Sequence, residues 1–454
     1  MNKPVHILNV VIKNTSTMDF TLPLLWGLRK NNPDIKITIL YCVGNKKQIL
    51  RDSKFVDEFC EQNSINQYDF SDFMKSPFGF LKPLWRAIFV HSYSDNISFK
   101  SFLKVKGLYT KIKLFWFLVL RGIKVAEYQI GKRLVDTENI LPHLNPDFIL
   151  FDNRTVTRFY GRENFYSYFE KKRVPLALLP HAPHYNSPTD EYCPFDEQNK
   201  NPLPPYTEHW MPYKFATPWL AAPEHKKQFI MTGYPGLDKK WIAHIMQKKK
   251  PENGLRCLVL TRKFLPKDNI RPENMDPFTL DYAEVFEAFV HIKDAIDKCD
   301  TKIKLVIKPH PSSSKTENIA LLQEAGITNY EITYESFYEL LPNIDFEVSQ
   351  FSTSLVLPVA YGIPTIVLNT KVQQMIHKQW DIVRDMYLGL NFFAENYIVM
   401  HSQFQEVVGI LQGKIDNKKV IDDIQYISNY CDTNSINKII NRINFTIDAN
   451  LKSI

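Results

Sequence analysis

Apolar residues gather in short runs, and the spacing between those runs is the first structural signal in the chain. Residues 5–12 (VHILNVVI) and 35–42 (IKITILYC) are almost continuously apolar, with a helically spaced segment around 22–30 and an Asn-Asn-Pro loop at 31–33 between them. Runs of that length, rich in β-branched residues, predict strands buried on both faces, as in a parallel sheet. Strand, helix and strand in that order open a doubly wound domain. DFILF at 147–151 and PLALL at 175–179 continue the series. Two stretches interrupt it. Residues 75–135 are aromatic, basic and helical in spacing, and the Pro-rich residues 186–225 predict a long irregular loop.

QFIMTGYPGLD at 228–238 reads as a strand and turn, and the Lys-, Pro- and Gly-bearing stretch that follows reads as a linker. Alternation then resumes. Residues 256–260 and 304–309 predict strands, with helices near 281–299, 315–325 and 335–341, short runs at 330–332 and 365–368, and a helical tail after 400. The expected organisation is an amino-terminal Rossmann-like domain over 1–245, carrying the helical insertion at about 75–135. A linker at 246–254, a second Rossmann-like domain over 255–400 and a helical tail at 401–454 follow.

Composition narrows the chemistry. A chain of 454 residues exceeds what one hydrophobic core supports, in keeping with two domains. Gly is scarce at 15 and Pro plentiful at 28, and neither GxGxxG nor GxxxxGK[ST] occurs, so glycine-lined phosphate cradles are not expected. The net charge of +7 is a mild excess that reads either as a solvated surface or as attraction to an anionic partner (a membrane surface, a phosphorylated substrate or an acidic glycan), and no nucleic-acid-binding module accompanies it. Six scattered cysteines without metal-ligand spacing point to reduced thiols. The first residues lack the regions of a signal peptide, and the longest strongly apolar stretch, LFWFLVL at 114–120, is too short to span a bilayer. The expected location is cytoplasmic, with the aromatic and basic residues of 75–135 either packing into the first domain or giving peripheral contact with the inner face of the cytoplasmic membrane.

Candidate chemistry sits at strand ends. KLVIKPHP at 304–311 is a buried strand that stops at Lys308-Pro309-His310-Pro311, where two prolines stiffen the backbone and leave side chains to bind. A lysine and a histidine fixed there suit a phosphate leaving group, by neutralising charge and, for His310, by donating a proton. FSTSLVLPVAYGIPTIVL at 351–368 places Ser352, Thr353 and Ser354, with Ser349 just before them, where a helix should start; amides and hydroxyls at such a start bind anions. Arg262 and Lys263 follow the strand ending near Thr261 and are placed to reach the same phosphates. In the amino half, His181 and His184 lie on the proline-stiffened loop LPHAPHY and Asp152 follows DFILF. Each is a candidate general base on an acceptor hydroxyl, and Asp152 also a candidate nucleophile. No DxD triplet occurs, so neither a metal nor another cofactor is expected.

The TGYPGLD turn, the KPHP strand end and the S/T-rich turn running to YGIP together resemble the carboxyl-terminal domain of GT-B glycosyltransferases of bacterial capsule and lipopolysaccharide synthesis. The likeness is to CMP-sugar (sialyl and Kdo) transferases and to CDP-glycerol glycerophosphotransferases, and it covers about residues 228–370. It implies an α/β GT-B fold, two facing Rossmann-like domains with an interdomain cleft. It also implies a metal-independent transferase that moves a sugar from a nucleotide-sugar donor to a hydroxyl of a glycan or lipid-linked glycan acceptor. His310 and the Ser352/Thr353 pair would contact the donor phosphate. Many UDP-sugar members carry Glu-Ala four residues before the helix-ending glycine, where this chain has Pro358 and Val359, which favours a CMP-type donor while leaving UDP open. Polyol-phosphate transfer from CDP-glycerol, UDP-sugar 2-epimerisation (whose Gly-rich acidic turn is not found at 349–358) and an inactive glycan-binding scaffold are the alternatives.

Overall fold

The computed structural model describes residues 4–11, 18–41, 54–69, 144–151, 172–179, 207–211, 229–247, 254–267, 269, 279–310, 313–350, 352–369, 387–430 and 432–453. The 75–135 region, Asp152, His181, His184 and most of the 246–254 segment lie outside these residues.

Two sheets, one of seven strands and one of six, organise the described chain, and every pairing in both is parallel. The first contains β1 (His6–Val11), β2 (Lys36–Tyr41), β3 (Asn66–Asp69), β4 (Phe148–Phe151), β5 (Leu176–Leu178), β6 (Thr207–Met211) and β7 (Phe229–Met231), in the order β3-β2-β1-β4-β5-β6-β7. The second contains β8 (Leu255–Thr261), β9 (Ile303–Pro309), β10 (Tyr330–Ile332), β11 (Phe346–Gln350), β12 (Thr365–Leu368) and β13 (Phe393–Ala394), in the order β10-β9-β8-β11-β12-β13. Both are doubly wound. Strand order reverses between β1 and β4 in one and between β8 and β11 in the other, and ligands of open α/β sheets bind beyond the strand carboxyl ends at such reversals.

The described helices are α1 (Met18–Asn31), α2 (Lys54–Gln62), α3 (Lys239–Met246), α4 (Tyr282–Asp297), α5 (Lys315–Glu324), α6 (Phe337–Leu340), α7 (Val356–Ala360), α8 (Tyr397–Leu411), α9 (Lys418–Tyr430) and α10 (Ser435–Ser453). On one face of the second sheet, Val259, Ile307 and Val348 pack against α4, α5 and α8. On the other, Leu258, Leu260 and Val306 belong to a core that continues through Tyr338, Tyr361 and Trp241 to Phe20 and the first sheet. The two domains thus share one hydrophobic seam. The turn Pro235–Leu237 lies in it, with the Gly236 carbonyl accepting from the Tyr361 hydroxyl at 3.0 Å and the Tyr234 ring edge-on to Phe20 at 5.4 Å.

One expectation is corrected. Residues 207–211, inside the segment read as irregular, form β6 as an interior strand of the first sheet. TEHWM hides its burial because Glu208 is 8% exposed yet fully satisfied: Trp210 Nε1 donates to it at 2.9 Å and Arg442 Nε at 2.8 Å. The arginine arrives on α10, which runs back across the first domain. A side chain at Gly27 of α1 would collide with Ile436, so only glycine lets the two helices approach this closely.

Candidate functional site

The carboxyl-terminal edges of the two sheets face each other, as two hydrogen bonds between their loops establish. Asp19, in the first turn of α1, follows β1; the Tyr338 hydroxyl, on α6 beyond β10, donates to its backbone carbonyl. The Lys54 amide, at the start of α2 beyond β2, donates to Glu335 Oε1 at 3.3 Å. The charge of Lys308, at the end of β9, and the hydroxyl of Ser336 both act on the Asp19 carboxyl. Burial dominates that carboxyl and raises it to about 7, with Lys308 and then Ser336 pulling it back. Asp19 is 5% exposed and its Oδ1 has no hydrogen-bond partner.

At the second sheet's edge, Pro309 lies in register with Thr261 as β9 and β8 end together. The His310 amide donates to the Thr261 carbonyl at 2.9 Å, and the His310 carbonyl accepts from the Ser313 amide at 2.8 Å. These bonds fix the loop backbone while the His310 side chain stays exposed. Arg262 and Lys263 leave the same edge at the reversal point, their carbonyls accepting from Ser313 Oγ at 3.5 Å and from the Leu280 amide at 2.8 Å, and the Lys263 side chain is exposed. Strand-end placement therefore brings Arg262, Lys263, Lys308 and His310 to one edge. The Lys308 ammonium donates to the Glu335 carbonyl, lies 5.1 Å from the centre of the Phe337 ring, and faces the seam.

Across the reversal, β11 ends at Gln350 and a single 3-10 turn, Thr353–Leu355, leads into α7. Ser352 caps the turn, its hydroxyl accepting from the Ser354 amide at 3.4 Å, and its carbonyl accepts from the Tyr387 hydroxyl at 3.0 Å. Ser349 belongs to the strand instead of the helix start. Its hydroxyl accepts from the Leu260 amide at 2.8 Å and donates to Glu347 Oε1 at 2.7 Å, which fastens β11 to β8. Glu347 is fully buried, and desolvation raises it to about 8. A small cavity behind this edge is lined by Leu260, Thr261, Phe289, Val348, Gln350 and Leu368, and the buried Gln350 Nε2 has no hydrogen-bond partner.

The acceptor-side candidates Asp152, His181 and His184 lie outside the described residues. Asp19, Tyr338 and Gln350 escaped the sequence reading. A helix-start aspartate carries an ordinary capping signature, and only the aromatic seam that buries it sets it apart. Among the described residues, no group of three His, Cys, Asp or Glu side chains is placed to hold a metal ion, and no helix is long and apolar enough to cross a membrane.

No protein-family model matches the chain, and no curated protein matches it significantly. Solved structures do. The S. aureus MnaA–UDP co-structure superposes with a TM-score of 0.53 at 14% identity, over 98% of this chain and 97% of that one. A putative UDP-N-acetylglucosamine 2-epimerase from Listeria monocytogenes gives 0.50 at 14% identity, over 96% and 95%. The wall teichoic acid polymerase TagF, in a structure soaked with CDPG, gives 0.51 at 8% identity, over 99% and 90%. At these identities the likeness establishes the fold. The chain has the two-domain α/β architecture called GT-B, as the sequence motifs implied.

Proposed function

We propose that this protein is a nucleotide-sugar-using enzyme, and specifically a glycosyltransferase that acts on a bacterial surface glycan. The observation that carries the reading is the pair of facing strand-end edges, one of them bearing Arg262, Lys263, His310, Ser352 and Ser354 at the β8/β11 reversal. That edge would hold the nucleotide phosphate. In the transfer, an acceptor hydroxyl oxygen bonds to the anomeric carbon as the bond from that carbon to the phosphate oxygen breaks. The phosphate leaves with the bonding electrons. His310, with neighbouring cations and hydroxyls, neutralises the growing charge, and one of Asp152, His181 or His184 takes the acceptor proton. Lys308 joins the phosphate grip only after leaving the Glu335 carbonyl. Closing the cleft would exclude water so that transfer outruns hydrolysis.

A CMP-type donor is the favoured reading because Pro358 stands where UDP-sugar enzymes carry their ribose-binding glutamate. The putative UDP-N-acetylglucosamine 2-epimerase from Listeria monocytogenes and the wall teichoic acid polymerase TagF have this fold, so UDP-sugar epimerisation and polyol-phosphate transfer are the competing outcomes. Thermal shift with CMP, CDP, UDP and GDP on wild type and His310→Ala tests the reading. Selective stabilisation by CMP, lost in the variant, is the expected result. A preference for UDP with turnover that needs no acceptor would move the assignment to an epimerase. A preference for CDP would move it to polyol-phosphate transfer. Silence toward all four nucleotides would leave a glycan-binding scaffold.

A further inference from the structure

The loop that carries His310 is fastened to the end of β8 by a closed circuit of hydrogen bonds, and one member of that circuit breaks the pattern of its helix. Thr261, the last residue of β8, is the junction. Its carbonyl accepts from the His310 amide at 2.9 Å, and its hydroxyl donates to Asn318 Oδ1 at 3.1 Å. Asn318 Nδ2 donates to the Ser314 carbonyl at 2.8 Å, and the Ser313 amide returns to the His310 carbonyl at 2.8 Å. Thr261 and Asn318 are both buried. Asn318 shares the buried face of α5 with Leu321 and Leu322, where helical spacing asks for a third aliphatic side chain. Asparagine is a poor helix former and its amide is unfavourable to bury, yet here a partner meets each end of it. A local rule broken inside an otherwise regular element marks a functional or strained position.

Sequence dictates what this loop can offer a phosphate. Pro309 and Pro311 carry no amide hydrogen, and the His310 amide is taken by Thr261. Residues 309–311 therefore present an anion with the exposed His310 side chain and with no free backbone donor. Such a side chain binds only as well as its backbone is placed, and a misplacement of about 1 Å can cost about 100-fold in rate.

We propose that Asn318 is a positioning residue for the donor site: through Thr261 and Ser314 it holds the His310 loop where the imidazole meets the nucleotide phosphate. The ligand half of the proposal rests on the nucleotide-donor reading, and the hydrogen-bonded circuit does not. Asn318 is sealed from solvent and acts on the ligand only through the loop.

Two measurements on the full-length chain test it, each on wild type, Asn318→Leu, Thr261→Val and Thr261→Ser. Asn318→Leu suits the buried helix face and removes both side-chain bonds. Thr261→Val breaks the same link from the strand side at nearly constant volume, which keeps the test decisive if the first variant folds poorly. Thr261→Ser keeps the hydroxyl. The first measurement needs no nucleotide. Hydrogen exchange at the His310 amide should speed up about tenfold in Asn318→Leu and Thr261→Val and keep the wild-type rate in Thr261→Ser, while the Leu258 and Val306 amides within β8 and β9 hold theirs. Unchanged His310 exchange, or an acceleration that the two strands share equally, overturns the proposal.

The second measurement is calorimetric titration with CMP and UDP, beside the imidazole NMR signals of His310, identified by their absence from His310→Ala. Affinity for the preferred nucleotide should fall about tenfold in Asn318→Leu and Thr261→Val, the size of one hydrogen bond to a charged group. It should return in Thr261→Ser, and the nucleotide-induced shift of the His310 signals should be lost and regained with it. Wild-type affinity in Asn318→Leu and Thr261→Val, or weaker binding with the His310 shift intact, overturns the proposal and leaves the donor reading standing. Failure of wild type to bind either nucleotide overturns the donor reading instead, and the exchange rates then decide by themselves whether Asn318 holds the loop.

Discussion

Two buried carboxyls, Asp19 in the seam between the domains and Glu347 inside the second sheet, share a physical state and differ in what surrounds them. Burial raises both, to about 7 and about 8, and each leaves one oxygen without a partner. Glu347 answers to its own sheet: Ser349 donates to it and is itself anchored by the Leu260 amide of the neighbouring strand. Nothing in that set can move unless β8 and β11 part. Asp19 answers to Lys308, Ser336 and Tyr338, all from a different domain, on a strand end, a loop and a single-turn helix. Desolvation alone therefore does not single out a functional acid. The discriminating feature is whether the opposing groups belong to an element that can move away.

The largest effect expected is on the seam itself. Trp241 is fully buried, with Trp26 at 5.6 Å and Phe59 at 6.1 Å on the first-domain side and Tyr338 at 4.9 Å on the other. Trp241→Ala should cost about 3–5 kcal/mol, by lost burial and the cavity left behind. Because the loss falls between the domains, urea unfolding should split into two transitions by fluorescence and circular dichroism. Phe346→Ala, within the second domain and edge-on to Phe404 at 5.2 Å, should cost a similar amount without splitting the transition. Identical single transitions for both variants would mean that the seam is as fixed as the interior, and the contrast would collapse.

Next in size is the pH response of the interior acid. Glu347 is raised above its unfolded value, so its contribution is fully present below about pH 4.5 and is lost as pH rises through about 8. Wild type should lose stability steadily from pH 6 to 9. Glu347→Gln should flatten that profile and gain on the order of 1–3 kcal/mol over wild type at pH 9, the burial of a new amide donor offsetting part of the relief. Asp19→Asn should flatten only the lower part of the same profile, around pH 7. If the two substitutions act over one common range, the carboxyls are not independent and the comparison between them fails.

Sequence reading reached the parallel strands because strands buried on both faces cannot avoid being apolar, as VHILNVV and KLVIK show. It also reached the strand-end placement of Lys308, His310, Arg262 and Lys263, since a charge just past an apolar run has little choice of position. It missed β6, whose buried glutamate is satisfied by Arg442, 234 residues away. It missed Asp19 for the same reason, since the Tyr338 hydroxyl that meets its carbonyl lies 319 residues on. It placed Ser349 at a helix start where the hydroxyl in fact joins two strands. Local pattern carries element type and edge position. It does not carry desolvation, which is a property of whatever the fold brings near.

The smallest effect sharpens the comparison from the opposite sign. On the outer face of the second domain, His291 Nδ1 and His401 Nε2 lie 3.3 Å apart between α4 and α8, and the His291 ring stacks on Tyr397 at 4.0 Å. Burial, then Lys298 and His291, hold His401 below its usual value, with Asp294 pulling the other way. A depressed base stabilises the fold above its unfolded value near 6.5 and loses that contribution as pH falls through the folded one. Acidification should therefore loosen α4 from α8 while it leaves both buried acids neutral and content. His401→Gln should remove the acid-side loss between pH 6.5 and 5, seen as a melting temperature that no longer falls with wild type's, and leave the alkaline-side loss from Glu347 intact. A His401→Gln profile that changes on the alkaline side instead would mean that the outer helices and the seam titrate as one unit, and that the two domains are not separable in the way the buried acids imply.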